Sequence, residues 1–258
     1  MDKIKQEIES RLRQIEQEED VRIFYACESG SRAWGFPSAD SDYDVRFLYV
    51  HAPDWYLSID DKRDVIERKI TDLIDISGWE LRKALKLLRK SNPPLLEWLN
   101  SPIVYLQLPH IVEQIKPLMP EYYSPKSCMY HYLNMAEGNF RGYLKNETVW
   151  VKKYFYALRP ILACKWIEAG YGVVPMEFEK LINNLIDDNE LKNAINKLLW
   201  RKKEGQELDR EPKIAIISNF IESELELLKN KRFDENNNGT NIEKLDQLFR
   251  WVLKDLCM

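Results

Sequence analysis

A strand–turn–strand segment near the N-terminus constrains the fold more than any other part of the chain. The apolar, aromatic-rich run Val21–Cys27 is typical of a buried strand. Gly30 interrupts this run, and Ser31 is a suitable N-cap for a short helical turn. Asp42 and Asp44 open a second strand-like run, where side chains two apart face the same way. Paired carboxylates beside a turn with free N–H groups predict a nucleoside triphosphate and Mg²⁺ site.

The two aspartates also have a plainer interpretation. Asp is depleted in strands, and residues 38–42 would pass as an ordinary polar loop. We interpret Asp40 in that way. The joint occurrence of Asp42 and Asp44 with the Gly-Ser turn, and with an apolar strand behind them, favours the metal site for this pair.

The same residues resemble the DNA polymerase beta-like nucleotidyltransferase superfamily. Its pattern is a hydrophobic residue, Gly-Ser, a short gap and two aspartates that alternate with hydrophobic residues, as in Cys27–Ser31 and Asp42–Val45 here. The longer sequence Glu28–Gly35, followed by Ser41–Arg46, is similar to the YcgL-type, RNA-ligase-associated branch of predicted nucleotidyltransferases. Three later segments are also similar to that branch: Gly78–Leu85, Lys90–Leu99 and Lys152–Pro160.

The resemblance implies two Mg²⁺ ions, with Mn²⁺ as an alternative, on Asp42, Asp44 and a third carboxylate that also helps to deprotonate the acceptor. Asp72 and Asp75 compete for the third position. The branch's sequence pattern, Asp-Ile-x-Gly-Trp, includes Asp75, which ends an apolar run, and therefore favours it. Asp72 could equally be a solvated turn residue. We therefore expect Asp42, Asp44 and Asp75 to be the catalytic and metal-binding residues.

The resemblance also implies which residues bind the phosphates of the nucleotide. Gly30 and Ser31 would present a hydroxyl and backbone N–H groups to them. Arg32 would pair with phosphate oxygens, or else form a surface ion pair. Independently of the resemblance, Trp34 and Phe36 are aromatic and next to the turn, so either could stack on a base, although core packing is the more frequent role of an aromatic side chain.

A second group of candidate residues lies on a predicted helix in the C-terminal half. Lys152, Tyr156 and Arg159 fall on one helical face, with Lys153 displaced around the helix. Similarity to the family favours Lys153, Tyr156 and Arg159 as ligands of the triphosphate, because a cation there would stabilise the departing pyrophosphate. The alternative is a solvated face with extended lysine stems. Arg82 and Lys83 are weaker candidates of the same kind.

We expect a mixed α/β fold, in which a small mixed-sheet nucleotidyltransferase core over residues 1–105 precedes an all-helical domain over 106–258, with a cleft between them. Residues 2–18 form an amphipathic helix with a regularly spaced isoleucine and leucine stripe. Further helix candidates in the second half are 108–118, 124–146, 148–170, 177–185, 188–203, 211–230 and 240–256.

Composition excludes several classes of protein. A hydrophobic fraction of 45% with 31% charged residues indicates a globular chain, and no apolar run is long enough to span a membrane. The charged N-terminus lacks the pattern of a secretion signal, so we expect a cytoplasmic location. The four cysteines and three histidines show no zinc-ligand spacing. A net charge of −4 argues against a protein that coats nucleic acid.

The sequence therefore predicts a Mg²⁺-dependent nucleotidyltransferase that moves a nucleoside monophosphate from an NTP to an acceptor hydroxyl. RNA or tRNA ends are the favoured acceptors, on the analogy with RNA ligation alone. Alternatives are nucleotidylation of a protein or small molecule, and a non-catalytic nucleotide-binding or antitoxin-like interaction module. The sequence does not identify the NTP, the acceptor or the oligomeric state.

Overall fold

The computed structural model describes residues 2–70, 73–206, 208–231 and 241–257. The chain divides into two compact units. Unit 1 comprises Met1–Ala33, Asp42–Tyr123 and Asn237–Met258, and unit 2 comprises Trp34–Ser41 and Ser124–Asn236. This division differs from the predicted boundary after residue 105, because the C-terminal segment belongs with the N-terminal part of the chain.

Unit 1 contains a five-stranded mixed sheet, which confirms the predicted α/β class. The strands are β1 (Val21–Ser29), β2 (Tyr43–His51), β3 (Val65–Glu67), β4 (Ile74–Glu80) and β5 (Val104–Gln107). Their order in the sheet is β3-β4-β2-β1-β5. The β2–β4 pair is parallel and the other pairs are antiparallel. The N-terminal ends of β2 and β4 therefore lie side by side in the sheet.

The helices of unit 1 are α1 (Asp2–Glu19), α2 (Gly30–Ala33), α3 (Pro53–Tyr56), α4 (Leu81–Arg89), α5 (Pro93–Leu99), α6 (Pro109–Ile115), α7 (Met119–Tyr122) and α13 (Ile242–Cys257). A 3₁₀ turn over Lys116–Leu118 lies between α6 and α7. On α1, the apolar stripe Ile8, Leu12 and Ile15 is buried in the same cluster as the sheet residues Ile23 and Phe47. Burial of each such side chain is worth roughly 1.5–3 kcal/mol, so the stripe fixes α1 on the sheet.

The C-terminal helix α13 is part of unit 1, against the expectation of one helical domain after residue 105. The guanidinium of Arg82 on α4 lies 5.5 Å from the ring centroid of Phe249 on α13. His110 on α6 is hydrogen-bonded to Asp255, with 2.8 Å between Nε2 and Oδ2. These contacts join the end of the chain to α4 and α6.

Unit 2 is mostly helical, with α8 (Pro125–Asn139), α9 (Lys153–Glu168), α10 (Phe178–Leu185), α11 (Asn189–Lys203) and α12 (Ala215–Lys229). It also holds an antiparallel strand pair, β6 (Thr148–Trp150) with β7 (Arg210–Pro212). The helices predicted over 148–170 and 211–230 therefore begin late, at Lys153 and Ala215. A π-helical turn over Phe140–Leu144 ends α8.

Three cysteines, Cys27, Cys128 and Cys164, are buried. Cys27 and Cys164 thus pack as small apolar side chains, as the sequence predicts. In the part of the chain that the structure describes, no helix is both long and apolar enough to cross a bilayer.

Candidate active site

Two of the predicted catalytic carboxylates lie opposite each other on neighbouring strands. Asp44 on β2 is paired in register with Asp75 on the parallel strand β4. The side chains of both are about one-third exposed, at 30% for Asp44 and 28% for Asp75. Asp42 precedes β2 by one residue and is exposed. The sheet therefore brings carboxylates from two separate sequence motifs to one edge of unit 1.

Arg46 connects the two carboxylates. Its Nη2 donates to Oδ1 of Asp44 at 3.1 Å and to Oδ2 of Asp75 at 2.8 Å. Its Nη1 donates to the backbone carbonyl of Asp75 at 3.2 Å. Arg46 was not predicted from the sequence, although its position two places after Asp44 on one strand indicates a shared face. The guanidinium neutralises part of the negative charge where the two carboxylates meet.

Glu28 is a second site residue that was not predicted from the sequence. Its side chain is fully buried at the end of β1, where Oε1 accepts a hydrogen bond from the backbone N–H of Asp44 at 2.7 Å. The other carboxyl oxygen accepts from the hydroxyl of Tyr105 on β5. Burial raises the pKa of Glu28 to about 7, against the opposing effect of these two hydrogen bonds. A glutamate directly after the apolar run Val21–Cys27 was the available signal.

Gly30 packs directly against Asp44. Gly30 has a φ of +60°, and a Cβ there would lie 2.1 Å from Oδ2 of Asp44. Only glycine fits both the backbone conformation and the close approach of the carboxylate. Helix α2 begins at Gly30, so Ser31 lies within the turn and is not its N-cap as predicted.

The protonation of Asp44 depends on its surroundings. Burial raises the pKa of Asp44, and the nearby charges of Asp75 and Asp42 raise it further. The guanidinium groups of Arg46 and Arg32 act in the opposite direction. The pKa of Asp44 is raised overall. Negative charge at this position is therefore costly, and a bound cation would relieve that cost.

Arg32 stabilises the loop that leads into β2. Its Nε donates to the backbone carbonyl of Asp42 at 3.1 Å, and its guanidinium lies 3.6 Å from the ring centroid of Tyr43. These contacts order the backbone next to the carboxylates.

The donor chemistry of Asp42, Asp44 and Asp75 fits Mg²⁺, a hard cation that prefers carboxylate oxygens. Within residues 2–70, 73–206, 208–231 and 241–257, however, no group of three or more His, Cys, Asp or Glu side chains is arranged to hold a metal ion. Asp44 and Asp75 are instead linked through Arg46. The competing candidate Asp72 lies outside the described residues.

The remaining candidates belong to unit 2, and Arg159 differs from expectation. It is 2% exposed, its guanidinium lies 4.7 Å from the ring centroid of Trp34, and it donates to the carbonyl of Pro175 at 3.4 Å. The spacing of Lys152, Tyr156 and Arg159 thus does not form one exposed basic face, because the face that carries Arg159 is packed into the unit.

Lys153 and Tyr156 are partly exposed, and they contact each other. The ammonium of Lys153 lies 4.8 Å from the ring centroid of Tyr156 and 4.5 Å from that of Tyr143. Phe36 is buried and stacks on Phe155 with a centroid distance of 4.8 Å. Core packing, the alternative interpretation, therefore holds for Phe36.

Comparison with known proteins identifies the family of this chain. The protein YcgL of Bacillus subtilis (strain 168) is 56% identical over 223 residues, which cover 86% of each chain. A solved structure of a nucleotidyltransferase-like protein from Exiguobacterium sibiricum covers 96% of this chain and 90% of its own, at 12% identity and a TM-score of 0.34. Residues 4–251 match the RlaP family, so this chain belongs to the RNA repair pathway DNA polymerase beta family.

Proposed function

We propose that this protein is a metal-dependent nucleotidyltransferase that moves a nucleoside monophosphate from an NTP to an acceptor hydroxyl and releases pyrophosphate. The observation that carries the proposal is the register of Asp44 with Asp75 at the sheet edge where Gly30 forms the turn. Membership of a nucleotidyltransferase-like family supports the same reaction.

The reaction forms a bond between the acceptor oxygen and the α-phosphorus and breaks the bond from that phosphorus to the pyrophosphate. Bound Mg²⁺ or Mn²⁺ would lower the pKa of the acceptor and neutralise developing charge. Asp42 and Asp44 would hold the nucleotide-side cation. Asp75 would hold the acceptor-side cation and receive the acceptor's proton. Because Arg46 links Asp44 and Asp75, its guanidinium has to release at least one of them when a cation binds.

The turn at Gly30 and Ser31 would be the main binding site for the nucleotide phosphates. Gly30 and Ser31 would contribute backbone N–H groups and a hydroxyl, and Arg32 a cation beside them. Lys153 and Tyr156 of unit 2 remain proposed phosphate ligands. Arg159 is no longer proposed for direct contact, because its guanidinium is buried against Trp34.

We propose an RNA or tRNA end as the acceptor, and the family's description, which names an RNA repair pathway, supports an RNA. A protein hydroxyl and a small metabolite are the alternatives within the same reaction class. A non-catalytic nucleotide-binding or antitoxin-like module would bind NTP but form no product.

The test is incubation of the protein with each α-labelled NTP, Mg²⁺ or Mn²⁺, and total RNA or lysate, followed by separation of the products. Label in RNA, protein or a small molecule identifies the acceptor class. Asp44→Asn should lower product formation by several orders of magnitude, as expected for a lost metal ligand. Asp54→Asn, at an exposed aspartate of unit 1, is the matched control and should retain activity. NTP binding without any labelled product would favour the non-catalytic alternative.

A further inference from the structure

Unit 2 contains a cavity of about 750 Å³ that includes Lys153 and Tyr156, the phosphate ligands proposed above, together with residues to which the proposed function gives no role. Its walls come from the loop before β2, from β6 and the start of α9, and from the end of α11 and the segment after it. Its side chains are mainly basic and aromatic: Trp150, Lys152, Lys153, Tyr156 and Lys202, with Ser38 and two aspartates. The volume is in the range of small-ligand sites.

Lys202 is the most informative residue of this cavity. It is 7% exposed, and its Nζ lies 3.4 Å from the hydroxyl of Ser38, which is a long hydrogen bond. Burial lowers the pKa of Lys202 and the charge of Lys152 lowers it further, whereas the charge of Asp40 acts in the opposite direction. A lysine held out of water beside another lysine is costly unless an anion compensates for it.

The cavity lysines differ from those lysines of unit 2 that are ion-paired. Lys165, Lys213 and Lys231 each form an ion pair with a glutamate. Among the residues that the structure describes, no salt bridge joins Lys152, Lys153 or Lys202 to a carboxylate. The three lysines outnumber the two aspartates of the lining, Asp40 and Asp209, so the concave surface carries a net positive charge, as expected for an anion site.

The aromatic side chains add a second type of contact. Trp150 is 42% exposed at the cavity, and the guanidinium of Arg210 lies 5.6 Å from its ring centroid. Tyr156 also lines the cavity, with the Lys153 ammonium above its ring. Exposed rings interleaved with cations suit a ligand that has both phosphate groups and a flat base.

We propose that this cavity binds a nucleotide, with its phosphate on Lys152 and Lys202 and its base on Trp150. The same chemistry is present in a free nucleotide and in one residue of a single-stranded RNA. The inference concerns binding alone and does not depend on whether the aspartates of unit 1 catalyse nucleotidyl transfer.

Equilibrium binding by the full chain tests the proposal, without divalent cations and in the Asp44→Asn background as well as wild type. The two probes are ATP, followed by calorimetry, and a fluorescein-labelled single-stranded oligoribonucleotide, followed by anisotropy. We expect binding of at least one probe, with Lys152→Ala weakening it by about tenfold, as for the loss of a charged hydrogen bond. Binding of ATP alone would identify a free nucleotide as the ligand, and binding of the oligonucleotide would identify a strand.

Lys203→Ala is the matched control, because Lys203 neighbours Lys202 on α11 but is exposed and does not line the cavity. Lys202→Met tests the buried cation, and Trp150→Phe tests the aromatic surface if the Lys202 variant fails to fold. If Asp44→Asn still binds the probe, binding at this cavity does not depend on whether the transferase proposal is right. The inference is overturned if neither probe binds, or if Lys152→Ala and Trp150→Phe both bind as Lys203→Ala does.

Discussion

The backbone N–H of Asp44 donates a hydrogen bond to Oε1 of Glu28, 2.7 Å away, so a buried carboxyl group holds the strand that carries the candidate catalytic aspartate. The same carboxyl group accepts a hydrogen bond from Tyr105 on β5. Glu28 therefore links the strand on one side of β1 to the strand on the other. Its ionisation affects both the stability of unit 1 and the position of Asp44.

The first prediction concerns the pH dependence of stability. The pKa of Glu28 rises from 4.5 to about 7 on folding, so the folded chain binds more protons than the unfolded chain between these values. The free energy of unfolding should therefore fall as the pH rises from about 4.5 to 7, by up to about 3 kcal/mol from this group. Urea denaturation at pH 5 and pH 8 measures the change.

Glu28→Gln should remove this contribution, and the difference between wild type and variant isolates it from other titrating groups. Glu113→Gln, at an exposed position of unit 1, is the control and should keep the wild-type pH dependence. Equal pH dependence in wild type and Glu28→Gln would show that Glu28 does not titrate in this range.

The second prediction concerns Gly30. A Cβ at this position would lie 2.1 Å from Oδ2 of Asp44, so Gly30→Ala should displace the carboxylate and abolish turnover. The positive φ adds a strain of about 1–2 kcal/mol to any alanine there. Gly170→Ala is the matched control, because Gly170 has a φ of +73° with no atom near its Cβ position. It should show the strain in thermal unfolding but keep nucleotidyl transfer.

The third prediction concerns Arg46. Its replacement by glutamine leaves Asp44 and Asp75 without their shared guanidinium, which should lower the melting temperature of the metal-free protein. Mg²⁺ should then raise the melting temperature more in Arg46→Gln than in wild type, because the cation no longer competes with the guanidinium. Arg22→Gln, at an exposed arginine of β1, is the control. A smaller Mg²⁺ shift in Arg46→Gln would mean that Arg46 does not compete with a cation for these carboxylates.

The fourth prediction separates the two candidates for the third carboxylate. Asp75→Asn should remove chemistry but leave NTP binding largely intact, because the nucleotide-side carboxylates remain. Asp72→Asn should behave like wild type. Single-turnover kinetics together with binding of a non-hydrolysable NTP analogue measure both effects. The reverse result would make Asp72 the catalytic residue.

The sequence predicted those features of the fold that depend on local patterns. The stripe of Ile8, Leu12 and Ile15 identifies α1, and the apolar run of β1 identifies its strand, because each pattern repeats within one element. The strands β5, β6 and β7 are short and pair with residues far along the chain, so no local pattern marks them. An amphipathic pattern in α13 predicts a buried face but does not indicate that the face packs in unit 1.

The residues of the candidate site likewise divide into those that local sequence patterns predict and those that only the fold reveals. Asp44 and Asp75 were predicted from their motifs, and the parallel register of β2 and β4 pairs them. Glu28 and Arg46 were missed, because charged residues in strands usually face solvent and only the fold shows that one is buried and the other bridges two carboxylates. Helical spacing likewise placed Arg159 on a face with Lys152 without indicating which part of that face is covered.

The fifth prediction follows from the burial of Arg159. Its guanidinium packs against Trp34 and donates to the carbonyl of Pro175, so Arg159→Ala should remove a cation–π contact and a charged hydrogen bond inside unit 2. We expect a loss of roughly 2–4 kcal/mol in the free energy of unfolding. Arg141→Ala, at an exposed arginine of the same unit, should change it by less than about 0.5 kcal/mol. If Arg159 instead contacts the nucleotide, Arg159→Ala should unfold like Arg141→Ala but lose turnover, and the assignment of Arg159 to the core of unit 2 would be wrong.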